Sequence, residues 1–118
     1  MFGDQRRGQI ARNLLAVRAI RTASFPPEIF DEHAWNMMLH LFSALVDNQT
    51  VSQEVLFSRA KVEPSYGNRW LQYLMANDQV DQREDGDDVA LSVDGIARMR
   101  SFLDIADEIH SGRVGWIY

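Results

Sequence analysis

The spacing of apolar side chains along the 118-residue chain predicts five helices and one short β-ribbon. Apolar positions recur three or four residues apart, the spacing that puts them on one face of a helix. The predicted helices cover residues 5–23, 31–47, 53–60, 65–77 and 94–110. The turn residues Asp85-Gly86-Asp87-Asp88 separate two strand candidates, 80–84 and 89–93, which favours a hairpin there.

Local signals predict where these helices begin and end. The prolines after Phe25 should stop the first helix, because proline disfavours α geometry in the residue before it. Asp31 and Ser52 are suited to cap the second and third helices, and Asp94 should start the last. Pro64 can open the fourth helix, where its missing N–H costs nothing. That helix should end at 77–78, since asparagine tolerates the left-handed conformation of a C-cap.

The same periodicity predicts the core. In the second helix the inward positions are Trp35, Met38, Leu39, Phe42, Leu45 and Val46, and in the third they are Val55, Leu56 and Phe57. The fourth helix should bury Gly67, Trp70, Leu71, Leu74 and Met75. The last should bury Ile96, Met99, Phe102, Leu103, Ala106 and Ile109, and the apolar tail 112–118 should pack as well.

Two helices joined by a short turn and followed by a ribbon outline a winged helix-turn-helix. The predicted fold class is therefore mainly α with a small β-hairpin, in one domain spanning 1–118. Within it, 5–23 is the N-terminal helix, 31–93 holds the helix-turn-helix and the wing, and 94–110 is the C-terminal helix. The helix at 65–77 would be the one offered to a DNA groove.

Charge is unevenly spread in a way that bears on DNA binding. The chain carries −5 overall, yet residues 1–24 hold five arginines against a single acidic residue, Asp4. Residues 47–92, which include the helix-turn-helix and the wing, hold nine acidic and four basic residues. The N-terminal arginines can be solvated side chains on a helix that packs against the domain or a second copy. They can also form a basic arm that touches phosphates.

Several function classes lack support in the sequence. There is no cysteine, no secretory signal and no long apolar run, which favours a cytoplasmic protein without membrane contact. No nucleophile elbow, phosphate-cradling glycine loop or spaced carboxylate pair stands out, so we expect neither an enzyme nor a cofactor. His33 and His40 lie seven residues apart without further ligands placed nearby, so we expect no metal site.

Two stretches carry a resemblance to the MarR-type winged-helix transcription regulators. Arg69-Trp70-Leu71-Gln72-Tyr73-Leu74, followed by Asp78-Gln79-Val80 and Arg83, is similar to that family's recognition helix and the strand after it. The second stretch, Leu91-Ser92-Val93-Asp94-Gly95, is similar to the segment that closes the wing and opens the last helix. The resemblance implies a homodimer held by the two terminal helices, with duplex DNA as the partner.

The resemblance also implies which residues would meet DNA. Side chains on the outer face of the fourth helix would enter the major groove, where Asn and Gln can read adenine and Arg can read guanine. Arg83 matches the family's wing arginine. The implied DNA-binding residues are Ser65, Tyr66, Asn68, Arg69, Gln72, Tyr73 and Arg83. A small aromatic effector could bind where the terminal helices meet the DNA-binding lobe, with Trp35, Phe42 and Trp70 as lining candidates.

The chain departs from the family pattern in its turn and its wing. Asp78 stands where the family usually has glycine, so Asn77 or a different loop should make the turn after the fourth helix. Val89 stands where a wing-tip arginine is usual, behind a run of carboxylates. Two functions therefore stay open. The first is a DNA-binding regulator, and the alternative is a winged-helix module that has lost DNA binding and contacts other proteins.

Overall fold

Five helices and a three-stranded sheet make up the fold in a computed structural model, which describes residues 3–25, 31–83 and 86–111. In chain order the elements are α1 Asp4–Ser24, α2 Glu32–Val46, β1 Val51–Ser52, α3 Gln53–Ala60, α4 Pro64–Ala76, β2 Val80–Gln82, β3 Asp88–Leu91 and α5 Val93–His110. Each predicted helix has its counterpart within a few residues. The apolar tail, expected to pack, lies outside the described residues.

The sheet is larger than the predicted hairpin, because a short strand before α3 joins it. Strand β3 lies between the other two and pairs antiparallel with both. Val89 faces Val51 of β1 on one side and Gln82 of β2 on the other. Two residues give no period-2 pattern, so β1 is invisible in the sequence and exists only through pairing with β3.

Helix ends follow the local chemistry with one exception. The side chains of Asp31 and Ser52 cap α2 and α3 by accepting from the backbone N–H groups of His33 and Val55. Phe25 is extended directly after α1, as the following proline predicts. Asp94 does not start α5. Ser92 caps that helix by accepting from the Gly95 N–H at 2.9 Å, so α5 begins one residue earlier than expected.

The core lies where α2 meets α3, α4 and α5. Met37, Met38, Leu56, Leu71, Leu74 and Met99 are almost completely buried there. Three expected core residues are instead on the surface, namely Leu45, Val46 and Val55. They lie near helix ends, where the helical period continues but neighbouring elements no longer cover it. In α2, Leu41 and Ala44 are buried instead.

Aromatic rings hold the end of α1 onto this core. Phe25, directly after α1, packs edge-on against Trp35 of α2 and Phe102 of α5, with ring centroids 5.3 and 6.3 Å apart. The guanidinium of Arg21 lies 5.0 Å from the Trp35 ring and pairs with Glu32 at 3.2 Å. Trp35 is therefore a core residue of the junction between α1, α2 and α5.

Candidate nucleic-acid interface

Helix α4 divides into a buried face and an exposed face. Gly67, Leu71 and Leu74 are buried, and Trp70 and Met75 are half-buried. All six residues that the resemblance assigned to DNA on this helix are exposed: Ser65, Tyr66, Asn68, Arg69, Gln72 and Tyr73. The exposed face thus offers amides, hydroxyls and one guanidinium, the groups that bond to base edges and phosphates.

The turn before α4 sets how that helix lies on α3. Lys61 takes the left-handed conformation, with φ of 55°, and the next N–H, that of Val62, returns to the Phe57 carbonyl at 3.0 Å. Pro64 opens α4, and Gly67 lies against the Phe57 ring. A Cβ on Gly67 would come within 2.5 Å of that ring, so the absent side chain permits the close approach of the two helices.

The turn after α4 corrects the sequence-based expectation. Asp78 itself adopts the left-handed conformation, with φ of 60°, whereas Asn77 has φ of −96°. Asp78 therefore takes the glycine's place in the turn, as short polar side chains can. Asn77 assists by donating from its side-chain amide to the Tyr73 carbonyl at 2.9 Å.

The wing carries one exposed cation beside several carboxylates. Arg83 follows β2 and is exposed, and its backbone N–H donates to the Asp88 carbonyl at 2.9 Å. Asp81 and Asp87 are exposed as well, and Asp88 is half-buried. Because like charges repel, these carboxylates disfavour contact between the wing and a phosphate group.

Two further cations lie on the helix-turn-helix outside the predicted set. Arg59, in the last turn of α3, and Lys61, in the turn, are both exposed. With Arg69 and Arg83 they make up the four basic residues of 47–92. The sequence pattern gives neither residue a role, because their place beside α4 depends on the turn.

A cleft of about 400 Å³ joins the exposed face of α4 to the start of α2. Tyr66, Arg69 and Tyr73 line it from α4, together with Trp70. Asp31 and His33 line it from α2, and neither was predicted to belong to the interface. The Trp70 and Tyr73 rings are tilted, with centroids 5.7 Å apart.

A second cleft, of about 670 Å³, lies between α1, α2 and α5. Its lining is mostly apolar and aromatic, with two arginines, one glutamate and one asparagine: Leu14, Leu15, Arg18, Arg21, Glu32, Trp35, Asn36, Leu39 and Phe102 are among the residues that form it. The three aromatics expected to share an effector site are separated. Trp35 lines this cleft, Trp70 lines the cleft beside α4, and Phe42 is partly buried against the core.

The described residues hold no group of three His, Asp or Glu side chains arranged to bind a metal ion. His33 is exposed and His40 is half-buried. Within the same residues no helix is both long and apolar enough to cross a membrane.

The fold is that of the MarR-type winged-helix regulators. MepR, a transcription regulator of the Staphylococcus aureus multidrug efflux pump MepA, superposes with a TM-score of 0.66 at 14% sequence identity, covering 97% of this chain and 82% of MepR. BpsR of Bordetella bronchiseptica, whose DNA binding is regulated by 6-hydroxynicotinic acid, gives a TM-score of 0.50 at 17% identity, covering 98% and 84%.

At these identities the likeness establishes the fold. No family model and no curated protein matches the sequence. The fold class expected from the sequence, a mainly α winged helix-turn-helix, is confirmed.

Proposed function

We propose that this protein is a transcription regulator that binds duplex DNA as a homodimer, with α4 in the major groove. One observation carries the proposal. The groups suited to base recognition all project from the exposed face of α4, while the opposite face is fixed in the core. MepR, whose fold it shares, is a transcription regulator, and BpsR, which also shares it, binds DNA. Their established roles support an assignment that the fold alone does not decide.

Within this proposal the side chains of α4 divide by chemistry. Asn68 and Gln72 can make paired hydrogen bonds to adenine, and Arg69 can do so to guanine. Ser65, Tyr66 and Tyr73 carry hydroxyls suited to phosphate oxygens. Arg83 would contact the backbone from the wing.

Few phosphate contacts are expected, and this makes the proposal testable. Each phosphate neutralised contributes about −0.9 to the slope of log affinity against log salt. Each copy exposes four basic residues near α4: Arg59, Lys61, Arg69 and Arg83. The slope should therefore be no steeper than about −4 per copy, unless the arginines of α1 also contact phosphates.

The experiment is a fluorescence anisotropy titration of random-sequence duplex DNA over a range of NaCl concentrations. We expect binding at low salt, and Arg83→Ala, which removes the cation assigned to the DNA backbone, should make the slope shallower by about one. Arg100→Ala is the matched control, since this exposed arginine lies on α5 away from the helix-turn-helix. A folded protein that binds no duplex at low salt contradicts the proposal.

A small-molecule effector extends the proposal to the cleft between α1, α2 and α5. Its aromatic walls and Arg18 suit a small aromatic acid, the class to which the effector of BpsR belongs, whereas Arg21 in the same cleft is already paired with Glu32. Adding 6-hydroxynicotinic acid or benzoate to the same titration tests this extension. Release of DNA that Arg18→Ala abolishes would support it, and unchanged affinity at saturating acid would contradict it.

The acidic wing favours a second candidate, a module that binds a protein partner instead of DNA. Tyr66 and Tyr73 are 54% and 45% exposed, and exposed aromatics are typical of protein interfaces. On this hypothesis charge reversal at Arg69 or Arg83 leaves function intact, whereas Tyr66→Ala and Tyr73→Ala disrupt it. A partner complex that nuclease treatment dissolves would refute this candidate.

A further inference from the structure

A buried glutamine joins the end of α4 to the start of α5. Gln79 is 1% exposed, and its side-chain Nε2 donates to the Asn77 carbonyl at 2.9 Å and to the Asp94 carboxylate at 3.0 Å. Its backbone N–H donates to the Leu74 carbonyl, and its carbonyl accepts from the Ser92 N–H, both at 2.9 Å. Gln79 is therefore bonded at once to the last turn of α4, to the turn after it and to α5.

The two side-chain partners determine how the Gln79 amide is oriented. A carbonyl and a carboxylate both accept, so the NH₂ group must face them. The amide oxygen is then buried without a hydrogen-bond partner among the described residues, an arrangement that costs free energy. The contact to Asp94 is thus retained at the expense of an unsatisfied acceptor.

The connection continues from Asp94 to the end of α1. The Asp94 carboxylate also accepts from Arg98 Nε at 3.1 Å, one turn further along α5. Another nitrogen of the same guanidinium donates to the Ser24 carbonyl at 3.1 Å, in the last turn of α1. Arg98 thereby satisfies a carbonyl that a helix C-terminus leaves without an intrahelical partner.

Fold stability alone is a weak reason for this arrangement. The Arg98 and Asp94 side chains are 42% and 53% exposed, and ion pairs at such exposure contribute little to stability. The hydrogen bonds through Gln79, Asp94 and Arg98 instead fix the positions of helices relative to one another. They fix α1, which lines the second cleft, relative to the turn that ends the DNA-reading helix.

We propose that Asp94 and Arg98 are positioning residues that hold α4 in register with α1 through Gln79. This inference rests on the proposed function, because the helix they position is the one offered to DNA. It goes beyond that function by assigning roles to residues that lie outside the reading face. It also provides a physical route by which a shift of α1 reaches α4.

The experiment uses Arg98→Met, which keeps much of the aliphatic stem but removes both hydrogen bonds. Arg100→Met, an exposed neighbour on the same helix, is the matched control. Amide hydrogen exchange is measured by NMR at Gln79 and Ser92, whose N–H groups are bonded within the turn, and at Leu41 in the core. We expect Arg98→Met to speed exchange at Gln79 and Ser92 on the order of tenfold, with Leu41 unchanged.

DNA affinity supplies a second measurement that separates positioning from direct contact. We expect Arg98→Met to weaken binding about tenfold while the salt slope stays the same. A slope shallower by about one would mean that Arg98 contacts a phosphate, and this would overturn the proposal. If the wild type binds DNA and Arg98→Met binds it with the same affinity, the proposal is overturned as well.

The two proposals fail separately. If the wild type binds no duplex at low salt, the proposed function is wrong, and the exchange rates at Gln79 and Ser92 still decide whether Arg98 positions the turn. Unchanged exchange in Arg98→Met overturns the positioning role. If that variant does not fold, Asp94→Ala, which removes the oxygen that accepts from both Gln79 and Arg98, takes its place with the same expected results.

Discussion

At the residue scale, Asp78 adopts the left-handed backbone conformation that usually calls for glycine. Its φ of 60° is a conformation that costs most side chains free energy, although Asp tolerates it better than β-branched residues do. The Asp78 carbonyl accepts from the Ser92 hydroxyl at 2.5 Å, so the turn is bonded to the cap of α5. The backbone of this residue is therefore structural while its side chain is exposed.

Asp78→Gly should stabilise the protein. Glycine adopts the left-handed conformation without a Cβ penalty, and the carbonyl that Ser92 uses is retained. We expect the free energy of unfolding to rise by about 0.5–1 kcal/mol, net of the greater freedom of glycine in the unfolded chain. Urea unfolding followed by circular dichroism measures it.

Asp81→Gly is the matched control for this substitution. Asp81 is also an exposed aspartate, but it lies in β2 in an extended strand. Glycine there should lower the free energy of unfolding by about 0.5–1 kcal/mol. A loss of stability in Asp78→Gly comparable to that in Asp81→Gly would show that the Asp78 side chain contributes more than its backbone strain costs.

At the scale of the element, α4 carries its core residues on one face and the proposed DNA-contacting residues on the other. Leu74 is 1% exposed in the core, and Gln72, two residues earlier, is exposed. Trp70 is only half-buried, so truncating it should cost less than its size suggests. Periodicity predicts which side of the helix a residue occupies but leaves the depth of its burial open.

Leu74→Ala and Gln72→Ala should therefore give opposite results. Leu74→Ala should lower the free energy of unfolding by about 2–5 kcal/mol, because it removes buried surface and leaves a cavity. Gln72→Ala should change stability by less than about 0.5 kcal/mol while weakening specific DNA binding. Thermal unfolding and anisotropy on both variants provide the data. DNA affinity that is unchanged in Gln72→Ala would remove this residue from the proposed reading face.

At the scale of the whole molecule, α1 presents apolar surface that the rest of the described residues, 31–83 and 86–111, leave uncovered. Ile10, Leu14 and Leu15 are 50%, 60% and 64% exposed, although their spacing is typical of apolar residues that share one helical face. The molecule extends over 56 × 27 × 26 Å, longer in one direction than a rounded domain of this length. An exposed row of large apolar residues on such a helix favours burial against a second copy.

Leu15→Glu should consequently convert the proposed homodimer to a monomer. A charge placed in an apolar interface loses hydration without gaining a partner. Size-exclusion chromatography with light scattering gives the mass of each form. Val93→Glu is the control, because Val93 is 86% exposed at the start of α5 and should leave the mass unchanged. A wild type that is monomeric at all accessible concentrations would contradict the homodimer.

Much of the fold could be predicted because its signals are local. Helical periodicity, the caps at Asp31 and Ser52 and the proline at the start of α4 act within a few residues of one another. The exposed face of α4 follows from the same period, so the candidate residues on this helix could be named in advance. Their binding to DNA remains a prediction.

Other features depend on residues that are distant in sequence. Strand β1 forms only by pairing with β3, and the contacts of Arg98 cross 74 positions to Ser24. Leu45 and Val55 are exposed because no other described residue covers them. The sequence by itself determined the order of the helices and of the wing hairpin, and the side chains presented by α4, because these follow from local geometry. Only the tertiary structure decided which surfaces stay uncovered and how the end of α1 is linked to the turn after α4. The reason is that packing and hydrogen bonding join segments far apart in the sequence, and such contacts leave no local pattern.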